Sequence, residues 1–282
     1  MLTYPYSQTI NAKGKLLDLS RPRLMGIVNI TPDSFYDGGQ YLNPDQGIAH
    51  AERLWEAGAD LLDIGAYSSR PGAEQISEQE ELDRLLLVVS RIRERIPESI
   101  ISVDTFRASV AEEAVAAGAD IINDISGGEL DEKMFSTVGK LKVPYILMHM
   151  RGTPEHMQQY TKYDNLLLEM QVYFKNKIND LRRHGVRDIL LDPGFGFAKT
   201  LEQNYLLMKH LHEFKWLGLP ILGAVSRKSM IYKALHTTPG DALNGSTVLH
   251  TLLLLKGVQL LRVHDILEAK EALTLVELYA AS

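Results

Sequence analysis

Short apolar segments alternate with amphipathic stretches along most of the chain. The apolar segments show no strict alternation of polar and apolar positions, which is typical of strands buried on both faces of a parallel sheet. Eight such segments occur, at residues 24–29, 61–65, 100–104, 121–124, 144–149, 189–192, 220–225 and 259–264. The amphipathic stretches predict helices at residues 45–57, 77–95, 108–117, 131–140, 165–184, 201–211, 242–256 and 266–280.

Alternating strands and helices imply parallel pairing through helical crossovers. Eight strand–helix units in 282 residues have the repeat length of a (β/α)₈ TIM barrel, which belongs to the α/β fold class. Residues 9–17, with Lys13-Gly14 at their centre, predict an N-terminal β-hairpin that covers the N-terminal mouth of the barrel. We therefore expect one domain over residues 1–282, without a linker or a second domain.

Composition and charge narrow the range of partners. The formal net charge is −6 and no Lys/Arg cluster stands out, so nucleic acid is not an expected partner. The longest apolar run, residues 85–89, is far too short to span a bilayer, so no membrane partner is expected. The absence of cysteine excludes disulfides, thiolate metal sites and a cysteine nucleophile. Residues 1–19 lack the apolar core of a secretory signal, and we expect a cytoplasmic protein.

Each predicted strand ends in polar or charged residues. Because the C-terminal ends of parallel strands share one rim of a barrel, these side chains should meet at its catalytic face. A single Asp or Asn at such a position is more often a helix cap or a turn former, but eight such endings together favour a shared site. The residues are Asn29, Asp63, Asp104, Asn123, His149, Asp192, Arg227 with Lys228, and Arg262 with His264.

A glycine-rich loop follows the sixth predicted strand and reads Asp192-Pro193-Gly194-Phe195-Gly196-Phe197. Its glycines allow the backbone to approach a ligand closely, and its phenylalanines offer flat walls for an aromatic ring. A tight turn with core phenylalanines is the alternative, which fits Phe195 better than Phe197. The loop therefore indicates a site for a planar ring beside the carboxylate of Asp192.

Cations at the same rim indicate an anionic ligand. Arg70 lies in the polar loop after the second strand, and its guanidinium group is suited to binding an anion. Arg262 and His264 alternate along the eighth strand, so they point to the same side and suit a phosphate. The alternative for Arg262 and His264, and for Arg227 with Lys228, is a solvated rim charge. A Schiff-base role for Lys228 is a further alternative, although the rest of the site does not resemble an aldolase.

The same stretches carry a resemblance to a known family. The chain resembles the dihydropteroate synthase family of pterin-binding enzymes from about residue 24 to residue 267. The resemblance is highly specific because eight signatures follow in the family's order, one at each strand end. The matching stretches are residues 25–35, 63–65 with 69–72, 102–105, 122–127, 148–150, 192–197, 226–229 and 262–265.

The resemblance implies a reaction of folate biosynthesis. In it, 6-hydroxymethyl-7,8-dihydropterin diphosphate condenses with p-aminobenzoate to give 7,8-dihydropteroate and pyrophosphate. Asp192 would accept hydrogen bonds from N3–H and the 2-amino group of the pterin. The other residues implied to bind this substrate are Asp104, Asn123, Met148, Gly223 and Lys228.

For the diphosphate, the resemblance implies binding by Asn29, Arg262 and His264, with Mg²⁺ bridging Asn29 and phosphate oxygens. Arg70 would close over the site. We expect departure of pyrophosphate to precede attack by the amine, with Asp104 stabilising the cationic methylene group. The residues implied to take part in catalysis are Arg70, Asp104, Lys228, Arg262 and His264.

The resemblance also implies a second substrate pocket and a homodimer. The p-aminobenzoate pocket would be formed by Ser69, Pro71, Phe197, Lys228 and Ser229. The apolar residues 252–255 could lie in the core or in a dimer interface. The family loop usually reads Gly-Glu-Ser-Thr-Arg-Pro-Gly, whereas here Tyr67 replaces the glutamate and Ser69 replaces the threonine. The replacement of glutamate by Tyr67 affects the loop that is expected to close over the site.

Two other functions are compatible with this fold. A pterin-binding methyltransferase module, which holds methyltetrahydrofolate for a corrinoid partner, would share Asp104, Asn123 and Asp192. It should lack the stretches at 69–72 and 226–229, which are both present. A non-catalytic pterin-binding paralogue is the third hypothesis, to which only Tyr67 points. Release of pyrophosphate in the presence of p-aminobenzoate would separate this paralogue from the enzyme.

Overall fold

The strands form a short hairpin and a barrel. The computed structural model describes residues 9–31, 44–68 and 75–282. Two antiparallel strands, β1 (Thr9–Ala12) and β2 (Lys15–Asp18), form the hairpin. The barrel strands are β3 (Arg23–Asn29), β4 (Leu61–Gly65), β5 (Ile100–Asp104), β6 (Ile121–Asp124), β7 (Tyr145–Met148), β8 (Ile189–Asp192), β9 (Leu222–Gly223) and β10 (Leu260–Val263).

The barrel strands are parallel and follow the order β8-β7-β6-β5-β4-β3-β10-β9. A parallel bridge between Leu191 and Ile221 connects the two ends of this order, and the Leu191 N–H donates to the Pro220 carbonyl over 2.8 Å. The described residues therefore form a nearly closed eight-stranded barrel. The C-terminal ends of all eight strands lie on one rim, which is where barrel enzymes carry their active sites.

Helices connect the strands and cover the outside of the barrel. Capping residues mark several helix ends. At N-terminal ends, Ser77 accepts from the Glu80 N–H, and Thr200 forms a capping box with Gln203. At a C-terminal end, Gly118 ends a helix with φ 123°. The helices are α1 (Pro44–Glu56), α2 (Glu78–Arg95), α3 (Ala108–Ala117), α4 (Met134–Leu141), α5 (Leu166–Arg183), α6 (Leu201–Lys209), α7 (Ser229–Tyr232), α8 (Leu243–Leu255) and α9 (Ile266–Ala281). Within the described ranges, none of them combines the length and the apolar character needed to cross a membrane.

The hairpin closes the lower end of the barrel. Ile10, Ala12, Leu17 and Leu19 are buried in one cluster with residues from the first halves of the barrel strands, such as Leu61. Burial of this apolar surface fixes the hairpin over the N-terminal mouth. The predicted barrel and its N-terminal hairpin are therefore confirmed.

Two predicted elements are shorter than expected, and one observed helix was not predicted. The strand predicted at 220–225 contains only Leu222–Gly223, because Ile221 forms a single bridge to Leu191 and residues 224–225 lie outside the strand ladder. The helix predicted at 201–211 ends at Lys209 and is followed by a 3₁₀ helix at Leu211–Leu217. The sequence does not predict α7, because a four-residue helix is too short to show a helical pattern.

Candidate active site

A cavity of about 480 Å³ opens at the C-terminal rim of the barrel. The structure brings seven predicted site residues to its wall: Asn29, Asp104, Phe197, Lys228, Ser229, Arg262 and His264. Asn123, Met148, Asp192 and Gly223 are buried and are not part of this wall. Ser69, Arg70 and Pro71 lie outside the described residues.

Arg262 lies between two carboxylates at the cavity. Its Nε donates to Oδ2 of Asp63 over 2.5 Å, and its Nη2 donates to Oδ2 of Asp104 over 3.0 Å. Nδ2 of Asn123 also donates to Oδ2 of Asp63, over 3.1 Å. Side chains from β4, β5, β6 and β10 are thereby held in one hydrogen-bonded group. Charge-assisted bonds of this kind are stronger than neutral ones and fix the direction of the guanidinium group.

The sequence places Asp63 among the polar strand ends that favour a shared site but assigns it no ligand or catalytic role. Its side chain is fully buried, and Oδ1 has no hydrogen-bond partner among the described residues. A buried carboxylate needs compensation, which Arg262 and Asn123 supply. A charged residue in the otherwise apolar segment 61–65 was the available signal, but its two partners are far away in sequence.

The pKa of Asp104 depends on its burial and on two charged neighbours. Burial raises the pKa of Asp104 to about 7, Arg262 opposes this rise, and Asp63 adds to it. Both charge states of Asp104 are therefore accessible near neutral pH. In its ionised form, Asp104 places a negative charge beside the Arg262 guanidinium at the cavity wall.

Asp192 and Lys228 form a second charged region beneath the glycine-rich loop. The Gly194 N–H donates to Oδ1 of Asp192 over 2.7 Å. Burial raises the pKa of Asp192, whereas Lys228 lowers it. Nζ of Lys228 donates to the Phe195 carbonyl over 2.8 Å and lies 4.9 Å from the centre of the Phe197 ring. Burial lowers the pKa of Lys228 to about 8, and the negative charge of Asp192 opposes that change.

The turn at residues 226–229 directs Lys228 and Ser229 into the cavity. Arg227 has a left-handed backbone conformation with φ 53°, which is uncommon for a residue with a side chain. Its Nε and Nη2 each donate to Asp265 over 2.9 Å. The guanidinium of Arg227 is thus used to hold the turn. Nδ1 of His264 lies 3.2 Å from Oγ of Ser226, which ties the end of β10 to the same turn.

Tyr67 adds an aromatic edge to the cavity. Its ring packs edge-on against Phe106 with 5.0 Å between ring centres. The guanidinium group of Arg107 lies 5.9 Å from the centre of the Tyr67 ring and pairs with the buried carboxylate of Glu81. The sequence does not predict this group, because its members come from three separate elements. Tyr67 is therefore fixed by packing at the position where the family pattern has glutamate.

The residues present fit a metal that is bound mainly by substrate. Asn29 ends β3, is partly exposed and offers a side-chain oxygen at the cavity wall. Within the described ranges, no group of three or more His, Asp or Glu residues could hold a metal by itself. Mg²⁺ commonly keeps several waters and binds through one or two protein oxygens together with substrate phosphates. Asn29 therefore fits the predicted role as a single protein ligand.

A barrel whose rim combines buried carboxylates, a lysine and a phosphate-type Arg–His pair is the architecture of a pterin-binding transferase. A family model described as pterin binding enzyme matches residues 25–264. Dihydropteroate synthase from Escherichia coli (strain K12) is 42% identical over 269 residues, which cover 94% of each chain.

Solved structures give the same result. Yersinia pestis dihydropteroate synthase, in complex with a sulfonamide drug, is 43% identical with a TM-score of 0.92, covering 97% of this chain and 100% of that one. The Xanthomonas albilineans dihydropteroate synthase with 4-aminobenzoic acid is 39% identical with a TM-score of 0.92, covering 98% of this chain and 99% of that one. The chain belongs to the dihydropteroate synthase family of pterin-binding enzymes, and the resemblance seen in its sequence is confirmed.

Proposed function

We propose that this chain condenses 6-hydroxymethyl-7,8-dihydropterin diphosphate with p-aminobenzoate through the cavity at the C-terminal rim of its barrel. The observation that carries this proposal is the convergence of Asp104, Lys228 and Arg262 on one cavity wall. They provide an anion for a developing cation and two cations for a departing diphosphate. Opposite charges held in fixed positions are the main means by which enzymes stabilise a transition state.

The pterin would bind at the base of the cavity. Asp192 would accept the paired donors of the pterin edge, and Asn123 and Lys228 would complete its hydrogen bonds. All three side chains are largely removed from water, so a ring without the matching groups would leave them unpaired. Met148 would supply apolar surface close to this edge, since it is buried on β7 opposite Asp192. Gly223 on β9 would contribute through its backbone, because a Cβ atom there would point toward Leu253 and Val258.

The diphosphate would bind at the wall formed by Asn29, Arg262 and His264. Arg262 would move part of its hydrogen bonding from Asp63 and Asp104 to the phosphate oxygens. Arg70 would add a second guanidinium group from the loop after β4. Mg²⁺, held by Asn29 and the diphosphate, would neutralise part of the charge that builds up on the leaving group.

We propose a stepwise reaction order for the chemistry. The bond from the methylene carbon to the diphosphate oxygen breaks first, and its electron pair leaves with pyrophosphate. Ionised Asp104 stabilises the resulting cationic carbon. The arylamine nitrogen then forms the new bond to this carbon and releases one proton to water. A weak nucleophile such as an arylamine benefits from an electrophile that is already positively charged.

The p-aminobenzoate pocket would use the upper part of the cavity. Phe197 offers a flat ring surface, with the Lys228 amine 4.9 Å from its centre. Ser229, at the first residue of α7, would bind the carboxylate, and the family resemblance also assigns Ser69 and Pro71 to this pocket. The helix α7 has only four residues, so the Ser229 hydroxyl and the Lys228 cation carry this role.

A pyrophosphate-release assay tests the proposal. The purified chain with pterin diphosphate, p-aminobenzoate and Mg²⁺ should release pyrophosphate and form dihydropteroate in equal amounts. Asp104→Asn should reduce this rate strongly, whereas Asp164→Asn, an exposed aspartate outside the cavity wall, should not. Binding of pterin without pyrophosphate release would support a non-catalytic paralogue. Binding of methyltetrahydrofolate in preference to pterin diphosphate would support the methyltransferase module.

We also propose that the chain forms a homodimer through α8 and α9. These helices pack against each other and expose large apolar side chains, including Leu252, Leu255, Leu275 and Leu278. Exposed apolar patches of this kind commonly mark protein interfaces. Leu275→Glu should shift the mass measured by light scattering from dimer to monomer. The cytoplasmic location expected from residues 1–19 stays a prediction.

A further inference from the structure

Lys199 is a buried lysine behind the glycine-rich loop. Its side chain is 3% exposed, although lysine is almost never buried without partners. Nζ lies 3.0 Å from the Gly194 carbonyl, 3.0 Å from the Phe197 carbonyl and 3.1 Å from Nδ1 of His149. One amine therefore bonds to both ends of the segment 194–197.

The backbone before Lys199 is arranged to make these contacts. Ala198 has a left-handed conformation with φ 47°, which is unfavourable for a residue with a Cβ atom. The Tyr163 hydroxyl donates to the Ala198 carbonyl over 2.9 Å and holds this turn. The turn folds the chain back so that the side chain of Lys199 lies beneath the loop that precedes it.

The bonds to Lys199 do not depend on its charge state. Burial lowers the pKa of Lys199 to about 7, while Asp192 raises it and Lys228 and Arg151 lower it further. Burial also holds the pKa of His149 well below its usual range, so this imidazole is neutral. An ammonium group donates to both carbonyls and to His149, whereas a neutral amine donates to both carbonyls and accepts from the imidazole N–H.

The loop that Lys199 holds forms part of the cavity wall. Phe195, Gly196 and Phe197 all line the cavity, whereas Lys199 does not. Lys228 bonds to the Phe195 carbonyl from the cavity side, so the loop is held by one lysine from each side. Asp192 depends less on this loop than Phe197 does, because it lies in β8 and its carbonyl accepts the His149 N–H over 3.0 Å. Its carboxylate shares one hydrogen bond with the loop, from the Gly194 N–H.

We propose that Lys199 is a positioning residue that fixes Phe197 for the binding of p-aminobenzoate. The proposal rests on the function proposed above and assigns a role to a residue that does not touch substrate. Loss of the amine would free the carbonyls at both ends of the segment and allow the Phe197 ring to move. The binding of p-aminobenzoate should then weaken, while pterin binding through the strand residue Asp192 should weaken less.

Steady-state kinetics of Lys199→Met test this role, because methionine has a similar length but no donor. The KM for p-aminobenzoate should rise by roughly tenfold or more, as expected for lost bonds to a buried amine. The KM for pterin diphosphate should rise clearly less than the KM for p-aminobenzoate, because Asp192 keeps its place in β8. Lys209→Met is the matched control, because Lys209 is an exposed residue of α6, and both KM values should remain at the wild-type level.

A second variant covers the case in which Lys199→Met does not fold. Lys199→Gln keeps an uncharged donor, but its side chain is one bond shorter and cannot reach both carbonyls, so the KM for p-aminobenzoate should still increase. Unchanged KM values in the variant that folds would overturn the proposal, as would equal increases for both substrates. Absence of turnover in the wild-type chain would instead contradict the proposed function, so the two failures are distinguishable.

Discussion

Nε of Arg262 lies 2.5 Å from Oδ2 of Asp63, although these residues are 199 positions apart in the sequence. The contact joins the end of β10 to β4 inside the barrel. Asp104 accepts from the same guanidinium group over 3.0 Å. One arginine therefore pairs with two carboxylates. A change in the charge of Asp63 should consequently alter the pKa of Asp104.

We expect Asp63→Asn to lower the pKa of Asp104. The negative charge of Asp63 raises the pKa of Asp104, which is about 7 in the intact site, and Arg262 lowers it. Removing the Asp63 charge removes the first effect and leaves Arg262 free to pair with Asp104 alone. The acid limb of the pH–kcat profile should therefore shift to lower pH. Asp164→Asn should leave that limb in place, and an unshifted limb in Asp63→Asn would contradict the coupling.

Asp104→Asn should lower kcat more than it raises either KM. The amide keeps the size of the side chain and part of its hydrogen bonding, but it cannot supply the negative charge proposed to stabilise the cationic carbon. Loss of one preorganised electrostatic contact typically reduces kcat roughly 100-fold or more. The effect should be measured with both substrates at saturation. A variant with wild-type kcat and weak pterin binding would limit Asp104 to a binding role.

The free energy of unfolding should depend on pH because Lys199 is buried and its pKa is lowered. The pKa of Lys199 falls from 10.5 to about 7 on folding, so between these values the unfolded chain binds a proton that the folded chain does not. Stability contributed by this residue therefore rises with pH across that window and is constant below it. Urea titrations at pH 7 and pH 10 should show the wild type gaining stability relative to Lys199→Met. Parallel pH dependence of the two proteins would contradict the shift, and Lys209→Met should follow the wild type.

Asp265→Asn should destabilise the turn that presents Lys228. Asp265 accepts two hydrogen bonds of 2.9 Å from Arg227, and both side chains are partly buried. Loss of the carboxylate should lower the free energy of unfolding by about 1–3 kcal/mol, because the Arg227 charge loses its partner. It should also raise the KM for p-aminobenzoate. The exposed pair of Arg91 and Glu94 offers a control, since Glu94→Gln should change stability by less than about 1 kcal/mol.

Much of the fold follows directly from the sequence. The apolar segments at 61–65, 100–104, 121–124 and 189–192 coincide with β4, β5, β6 and β8, because a strand buried on both faces must be almost continuously apolar. The polar residues at the strand ends identify the rim, because they occur where the buried part of each strand ends. Local patterns therefore suffice where secondary structure and burial decide the position of a residue.

The contacts within the site depend on residues that are distant in sequence. The Asp63–Arg262 pair and the bonds of Lys199 to the loop at 194–197 require the closed barrel and the left-handed turn at Ala198. Arg227 is a clear example, since the sequence indicates a rim cation and the structure pairs it with Asp265. Tertiary pairing decides which charged residues remain available for a ligand, and no local pattern contains that information.

The most direct test of the central claim is a crystal structure of the chain with pterin diphosphate, Mg²⁺ and a non-reactive analogue of p-aminobenzoate. We predict that the carboxylate of Asp192 meets the 2-amino edge of the pterin and that Arg262 and His264 contact the diphosphate. The analogue should lie against Phe197. A pterin bound away from Asp192, or a diphosphate that contacts neither Arg262 nor His264, would contradict the proposed site.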